Sequence, residues 1–555
     1  MNETLSDDDP YARTAQVFPK LPAELTARVA AYGAEELIRP GQILFHRGVR
    51  RADFFLVLDG EIVITRTGRN GGEETLTVHR AGQFTGELDQ VSARAVLVTA
   101  TAGSDGRVIR VLNKDVSRMM ASEPDLGEIL IRAFVLRRMG FLHDGQGGIV
   151  LIGPANHADT LRLERFAVRN GYPLRLVDSS VNQEALAWME QYGLALGDLP
   201  AVITPDRAVL LNPATTALAD RLGMTERFDP DQVFDVAVVG AGPAGLSAAT
   251  YAASEGLRTV ILEGIAPGGQ AGMSSKIENY LGFPTGISGQ ALAGRAQVQA
   301  QKFGARVAVS RMVAGLDCDQ HPYRLRLEDG QFVRAKAIVV ASGARYRKLD
   351  IPDYHRFEGQ GIHYAATAME AQLCGGQNVV LVGGGNSAGQ AAMFLSRTSG
   401  HVHLLVRGEG LAATMSDYLV QRIQQSPRIT LHPHSEVTAL KGDAVLRQIG
   451  WTDRRSDEQT ILDAGALFVM IGAEPNTEWL GGCIALDSQG FVLTGMQTGA
   501  TSAYETGRPG IFAVGDVRSG SVKRVAAGVG EGSVAIQAIH GYLERLDRPR
   551  RESAS

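Results

Sequence analysis

From Ile38 onward the chain reads as short apolar runs broken by polar turns. Ile43-Leu44-Phe45, Phe54 to Leu58 and Ile62-Val63-Ile64 are separated by Gly48, Asp59-Gly60 and similar breaks. Runs this short, recurring about every ten residues with turn residues between them, predict an antiparallel barrel or jelly roll. A helical stretch from Asp115 to Leu142 closes it. After Gly148 the pattern changes. Ile149 to Ile152 reads as a buried strand and Thr160 to Asn170 as an amphipathic helix. Leu174 to Val177 is a second strand, Glu184 to Tyr192 a second helix and Ala201 to Ile203 a third strand. That alternation predicts a small α/β unit ending near Met224. Phe228-Asp229-Pro230-Asp231 then reads as a linker. From Phe234 strands and helices alternate around three Gly-rich turns, as in parallel-sheet units.

Composition narrows the function classes. The chain has 555 residues with 55 Lys+Arg against 60 Asp+Glu, a net charge of −5. Without a basic excess, bulk electrostatics give no argument for nucleic acid. No apolar run is long enough to span a bilayer, and the acidic start MNETLSDDDP is unlike a signal peptide. A cytoplasmic setting with no membrane partner is the expectation. Cys318, Cys374 and Cys483 lie far apart in sequence, so no disulfide framework and no metal spacing are expected. Gly is abundant, 65 residues, without a collagen-like period. The excess is expected in turns and in loops that approach ligands closely.

Two such loops carry chemistry. In the first, the strand Val236 to Val239 runs into Gly240-Ala241-Gly242-Pro243-Ala244-Gly245, and a helix follows. Gly240 permits the tight turn, Gly242 lets the backbone approach a pyrophosphate, and Gly245 lets helix and strand pack closely. The helix N-terminus then faces phosphate, and Glu263, ending the next strand, accepts from ribose hydroxyls. In the second, Val379 to Val382 runs into Gly383-Gly384-Gly385-Asn386-Ser387-Ala388. The strand after it, His403 to Val406, ends in Arg407 rather than an acid. A basic residue there suits a 2′-phosphate, which favours NADPH over NADH. A third turn, Gly515-Asp516 after a strand, places a carboxylate at a helix mouth.

Taken in order, these elements resemble the low-molecular-weight thioredoxin reductases of the pyridine nucleotide-disulfide oxidoreductase group. The resemblance is carried by the Gly240 and Gly383 loops, Gly268-Gly269-Gln270, Ile277 to Tyr280, Val340 to Ala344, Ile471-Gly472, Pro475 to Thr477, Gly515-Asp516 and Arg524-Val525-Ala526. It implies FAD and NADPH (or NADH) as cofactors and a homodimer. It assigns FAD contacts to Gln270, Asn279, Asp516 and Arg524 to Ala526, with Gly269 beside them, and an adenine contact to Val313. Gly472 falls beside the nicotinamide unit. The resembled reductases carry a Cys-x-x-Cys followed by an acid, and here those positions are Ala365, Ala368 and Met369. Alanine offers no thiolate to attack a disulfide. His363, Tyr364 and Thr367 are the candidate catalytic side chains of that segment, with packing as the alternative role. The basic signature for NADPH is also reduced, to Val406-Arg407-Gly408 with Ala412.

Residues 20–142 resemble a cyclic nucleotide-binding domain, through Pro40-Gly41, Gly48, Asp59-Gly60-Glu61 and Gly86-Glu87-Leu88. The resemblance implies that Glu87 meets a ribose hydroxyl and Arg94 a cyclic phosphate, or that the jelly roll persists without a ligand. Residues 147–226 resemble a thioredoxin or glutaredoxin-like domain, with Leu199-Pro200 where that fold carries a cis-proline and no cysteine in its active-site turn. The expected architecture is therefore multi-domain. A tail, 1–19, precedes the β jelly roll. The small thioredoxin-like α/β domain comes next. Two Rossmann-like α/β nucleotide-binding domains complete a module at 232–550, FAD at 232–350 and 476–550 and NAD(P)H at 351–475. The expected activity is hydride transfer from NAD(P)H to flavin and on to a small-molecule or protein acceptor. Thioredoxin reduction with an external thiol, and a flavin redox sensor without turnover, stand as alternatives.

Overall fold

The computed structural model describes residues 14–68, 72–86, 94–144, 147–155, 157–181, 183–274, 277, 280–358, 360–364, 366, 371, 374–443 and 445–547. Four units follow one another along the chain. The N-terminal one is a pair of antiparallel sheets. One joins Ala34–Ile38, Gly106–Val111 and Phe54–Asp59; the other joins Ile43–Phe45, Thr99–Ala102, Glu61–Thr67 and Glu73–Arg80. Their apolar faces meet, burying Phe55, Val57, Ile62 and Val98. The helices Asn113–Ser122 and Pro124–Asp144 close one end, as the sequence pattern predicts. Residues 1–13 of the expected tail lie outside the described residues. Its last residues form the helix Thr14–Val17, and Val17 is fully buried against the jelly roll.

The α/β unit has a four-stranded sheet. Ile149–Gly153 lies at its centre, parallel to Leu174–Asp178 and antiparallel to Ala201–Ile203, and Val209–Leu211 adds the edge. The Leu199–Pro200 peptide is cis. In the stretch expected as a linker, Phe228 is buried edge-on against Phe234, inside the core of the next unit, and Asp229, Pro230 and Asp231 are exposed.

The next sheet has seven strands. Val233–Val239, Thr259–Glu263, Arg306–Val309, Phe332–Val340 and Ile511–Ala513 run parallel, which places the ends of several strands on one rim. The strands are almost wholly apolar because helices or loops cover both faces. Inserted between Phe332–Val340 and Ile511–Ala513 is a second parallel sheet, in the order Ile362–His363, Ala466–Val469, Asn378–Val382, His401–Leu405, Ile429–His432. The chain enters this insertion through Ala344–Tyr346 and leaves it through Ala473–Pro475, and these two segments pair antiparallel.

One expectation is overturned here. Cys318 and Cys483 form a disulfide across 165 residues of sequence. Cys318 ends one strand of the first parallel unit, and Cys483 follows the chain's return to it. The separation in sequence is the insertion itself, not distance in space. Arg508 donates to the carbonyls of both residues, at 2.7 and 3.0 Å. Cys374 is free and buried. Among the described residues no helix is long and apolar enough to cross a membrane.

Candidate functional site

The first Gly-rich loop sits where Val233–Val239 meets the helix Pro243–Ser254. Gly240 has φ +103°, and a Cβ there would lie 2.4 Å from the Ala341 carbonyl oxygen. A Cβ on Gly245 would lie 2.0 Å from the Gly240 oxygen, so only glycine lets helix and loop close up. Gly242 faces space, its nearest neighbour being the Gly269 Cα at 4.0 Å. No side chain caps the helix, which begins with Pro243 and then the buried Ala244. Its first N–H groups and its dipole are left for an anion. The Glu263 carboxylate, expected at a ribose, holds the loop: it accepts from the N–H of Ala241 at 2.8 Å, Ile265 at 2.9 Å and Ala266 at 3.2 Å.

The other residues of this unit converge on the same rim. Gly268 and Gly269 both have positive φ. Gln270 donates to the Ala344 carbonyl at 3.4 Å. Asp516 lies in the turn Gly515–Val517, and burial raises its pKa; Lys523 offsets part of this and Glu531 adds to it. The turn is anchored by Glu531, which accepts from the Gly515 N–H at 2.6 Å and from Arg518 at 2.7 Å. Arg524 is exposed just before the helix Val525–Asp547, whose first residues include Val525 and Ala526. That helix reaches Ala244, which a Cβ on Gly528 would touch at 3.4 Å. Val313 opens a strand at the sheet edge and is buried. Asn279 lies outside the described residues.

The second loop repeats the turn with a lighter frame. Gly383 has φ +146°, and a Cβ there would lie 2.4 Å from the Met470 carbonyl oxygen. Gly385 has nothing within 4 Å. The helix Asn386–Leu395 starts there, with Asn386 and Ser387 exposed and Ala388 buried. Thr414 donates to the Gly384 carbonyl at 2.7 Å, and the Asn386 side chain accepts from the Ser416 N–H at 2.8 Å. Arg407 is exposed beyond the strand His401–Leu405. The Gly472 carbonyl accepts from Arg347 at 3.1 Å, beside the crossing strands.

His363 ends the short strand at the edge of this second sheet, with its ring 5.1 Å from Phe468. Tyr364 is next, stacked on Tyr346 with centroids 4.9 Å apart and planes at 9°. Its hydroxyl donates to Glu358 at 2.5 Å and accepts from Tyr354 at 3.0 Å. Glu358 also takes Lys348 at 2.9 Å and His355 at 2.8 Å. Burial alone would lift the Glu358 carboxyl, but the bonds from Tyr364, Lys348 and His355 hold it below its usual range. Burial first, then the bond to Glu358, pushes Tyr364 well above a free phenol. Burial pushes Tyr354 up to about 12, and does the same to Tyr346, with Asp516 adding its charge. All three hydroxyls stay protonated at neutral pH, and those of Tyr354 and Tyr364 act as donors, so Tyr364 is no base there. Tyr346 comes from the strand Ala344–Tyr346, Tyr354 and Glu358 from the two ends of the short helix Tyr354–Phe357, and Tyr364 from beyond it. Thr367, Ala365, Ala368 and Met369 lie outside the described residues.

In the jelly roll, Arg94 is buried and donates to the Asn170 carbonyl of the α/β unit at 2.9 Å. Glu87 lies outside the described residues. The interior cavity is about 30 Å³, room for about one water. Phe18, His79, Gly86 and Arg137 are among its lining residues. Arg137 enters it, donating to the carbonyls of Gly86 at 2.5 Å and Val17 at 2.9 Å. Burial, with Arg137 nearby, pushes His79 down to about 3.

Two Gly-turned phosphate loops on two parallel sheets, one inserted in the other, define a two-nucleotide oxidoreductase fold. A family model described as pyridine nucleotide-disulphide oxidoreductase matches residues 234–532, more than half of the chain, and the chain belongs to that family. It is an FAD-dependent oxidoreductase that works with a pyridine nucleotide. A cyclic nucleotide-binding domain model matches residues 35–123. The chain is 34% identical to "NADPH-dependent thioredoxin reductase 3" of Arabidopsis thaliana, over 56% of this chain and 58% of that one. It is 31% identical to "NADH dehydrogenase" of Bacillus subtilis, over 57% of this chain and 60% of that one. The chain thus spans less than two thirds of either relative. The crystal structure of thioredoxin reductase from Streptococcus pyogenes matches with a TM-score of 0.52 at 29% identity, covering 56% of this chain and 99% of that one.

The residues present fit FAD at the first loop. Gly242 and Gly269 leave open backbone where a Cβ would intrude, the helix N-terminus is uncapped, and Asp516 supplies a buried carboxyl for a polyol. When bound, FAD accepts a hydride and passes electrons onward. The uncapped N-terminus of the helix would face the pyrophosphate, and Glu263 fixes the loop that presents it.

Proposed function

We propose that the protein transfers a hydride from NADPH or NADH, held at Gly383 to Ala388, to FAD held at Gly240 to Gly245, and delivers the electrons to an acceptor other than a disulfide handled by its own Cys-x-x-Cys. One observation carries this reading: Ala365 and Ala368 stand where the resembled reductases place their thiols, beside two intact nucleotide loops. The Cys318–Cys483 pair does not stand in for them, because it belongs to the FAD unit and not to the 365–368 segment. The acceptor is a small molecule or a redox protein. Arg407 favours NADPH, and the chain works as a cytoplasmic homodimer. The small α/β unit is a thioredoxin-like domain without a redox pair; its strand order, with the first strand between the second and the third and the fourth at the edge beside the third, supports this.

Anaerobic titration of the purified protein tests the reading. Flavin absorbance should bleach after about one two-electron equivalent of NADPH. Protein without flavin, or flavin left oxidised by both nicotinamides, removes it. A second reading is thioredoxin reduction with an external thiol doing the attack. In that case NADPH-dependent reduction of thioredoxin is steady. Tight nucleotide binding without turnover would instead favour a sensor.

A further inference from the structure

We propose that Asn170, which lies outside the oxidoreductase module, is a positioning residue for the FAD loop and is itself held by Arg94 of the jelly roll. The inference rests on the assignment of FAD to the Gly240 loop. Asn170 follows the helix Ala158–Arg169 and is 5% exposed. Its side-chain amide donates to the Phe166 carbonyl at 2.9 Å, which fixes its direction, and to the Ile265 carbonyl at 3.1 Å. Its own carbonyl accepts from Arg94 at 2.9 Å. The peptide joining Ile265 to Ala266 is therefore gripped on both sides, its oxygen by Asn170 and its N–H by Glu263 at 3.2 Å, and the Ile265 N–H adds a second bond to Glu263 at 2.9 Å. The other Glu263 oxygen takes the Ala241 N–H at 2.8 Å, between Gly240 at the tight turn and Gly242. A continuous path of hydrogen bonds thus runs from the jelly roll, through the α/β unit, to the phosphate loop.

Two further observations favour this role. The Asn170 Oδ1 is buried and has no hydrogen-bond partner among the described residues, so the amide serves through its N–H groups. Gln290 of the FAD unit donates to the Val168 carbonyl, which seats the end of the same helix on that unit. A buried donor to the carbonyl of a residue whose N–H holds a carboxylate sets where the loop amides point, and small displacements there are felt in ligand affinity.

The test uses the full chain. FAD is stripped, and the apoprotein is titrated with FAD by quenching of flavin fluorescence. Asn170→Ala should raise the FAD Kd about fivefold to tenfold, the loss of one buried hydrogen bond. The KM for NADPH should stay within twofold, because among the described residues the Asn170 side chain bonds only Phe166 and Ile265, both outside the nicotinamide unit; a general loss of structure would move both. Arg94→Lys leaves the Asn170 side chain in place and should raise the FAD Kd in the same direction by about twofold to threefold. It carries the test if Asn170→Ala does not fold. FAD affinity within 1.5-fold of the parent in both variants overturns the proposal, as does an equal rise in the NADPH KM. A parent chain that takes up no FAD overturns the FAD assignment itself, which is a separate failure.

Discussion

The two Gly-rich loops share a turn and differ in what holds it. At the first, Glu263 takes three backbone N–H groups, and eight residues of the following helix are buried. At the second, two polar side chains, Thr414 and Asn386, steady the loop, and the helix opens with Asn386 and Ser387 exposed. A loop gripped by a carboxylate inside a packed core suits a cofactor that stays. A loop steadied at the surface suits one that arrives, gives up a hydride and leaves. The same glycine pattern thus stands in two settings, and the side chains that hold each loop make the difference.

The largest effect that would break this contrast is expected at Gly245. Gly245→Val puts a side chain 2.0 Å from the Gly240 oxygen before any rotamer is chosen, and should give protein without flavin, read as the ratio of flavin to protein absorbance. Gly385→Ala, where nothing lies within 4 Å, should keep full flavin and change only the NADPH KM. Next in size, Glu263→Gln keeps the shape but turns one acceptor into a donor facing N–H groups; the FAD Kd should rise about tenfold or more. Equal affinity would show that Glu263 does not set the loop. Arg407→Ala should raise the KM for NADPH about threefold and leave that for NADH alone; parallel changes would remove the 2′-phosphate assignment.

The smallest effect concerns the strand beneath the first loop. Burial alone would raise the Asp235 carboxyl, but bonds from Arg258 and Lys336 hold it at about 2. Its folded pKa is depressed, so its stabilisation is complete above about pH 4, the range of an unfolded aspartate, and is lost as pH falls toward about 2. Asp235→Asn should melt lower than the parent at neutral pH, and the gap should close between those limits in thermal scans. A gap that persists at low pH would place the effect in packing.

Much of this was legible in the sequence. The evenly spaced runs around Phe54 and Ile62 gave away the jelly roll, because each strand buries one face against the opposite sheet. Gly240 and Gly383 declared their loops because no other residue tolerates those backbone angles next to a carbonyl. What escaped was contact between distant segments. Glu263 was placed correctly at the end of its strand, but nothing local says that its oxygens turn inward to backbone amides. Arg94 reads as a phosphate ligand until Asn170 is brought beside it. Cys318 and Cys483 look unrelated because a whole unit is inserted between them, and Tyr364 meets Tyr346 only because the chain folds back at the crossing strands.

That disulfide has a consequence for the chain as a covalent object. Everything from 319 to 482, including the whole nicotinamide unit, hangs on a closed ring of bonds. The turn holding Arg454 and Arg455 is exposed within that ring. Trypsin cutting there severs the backbone without parting the molecule. The two pieces should run as one band on a gel without reductant and as two with it, so a protein already nicked in its mobile-substrate half would still carry both halves of its FAD unit as a single body.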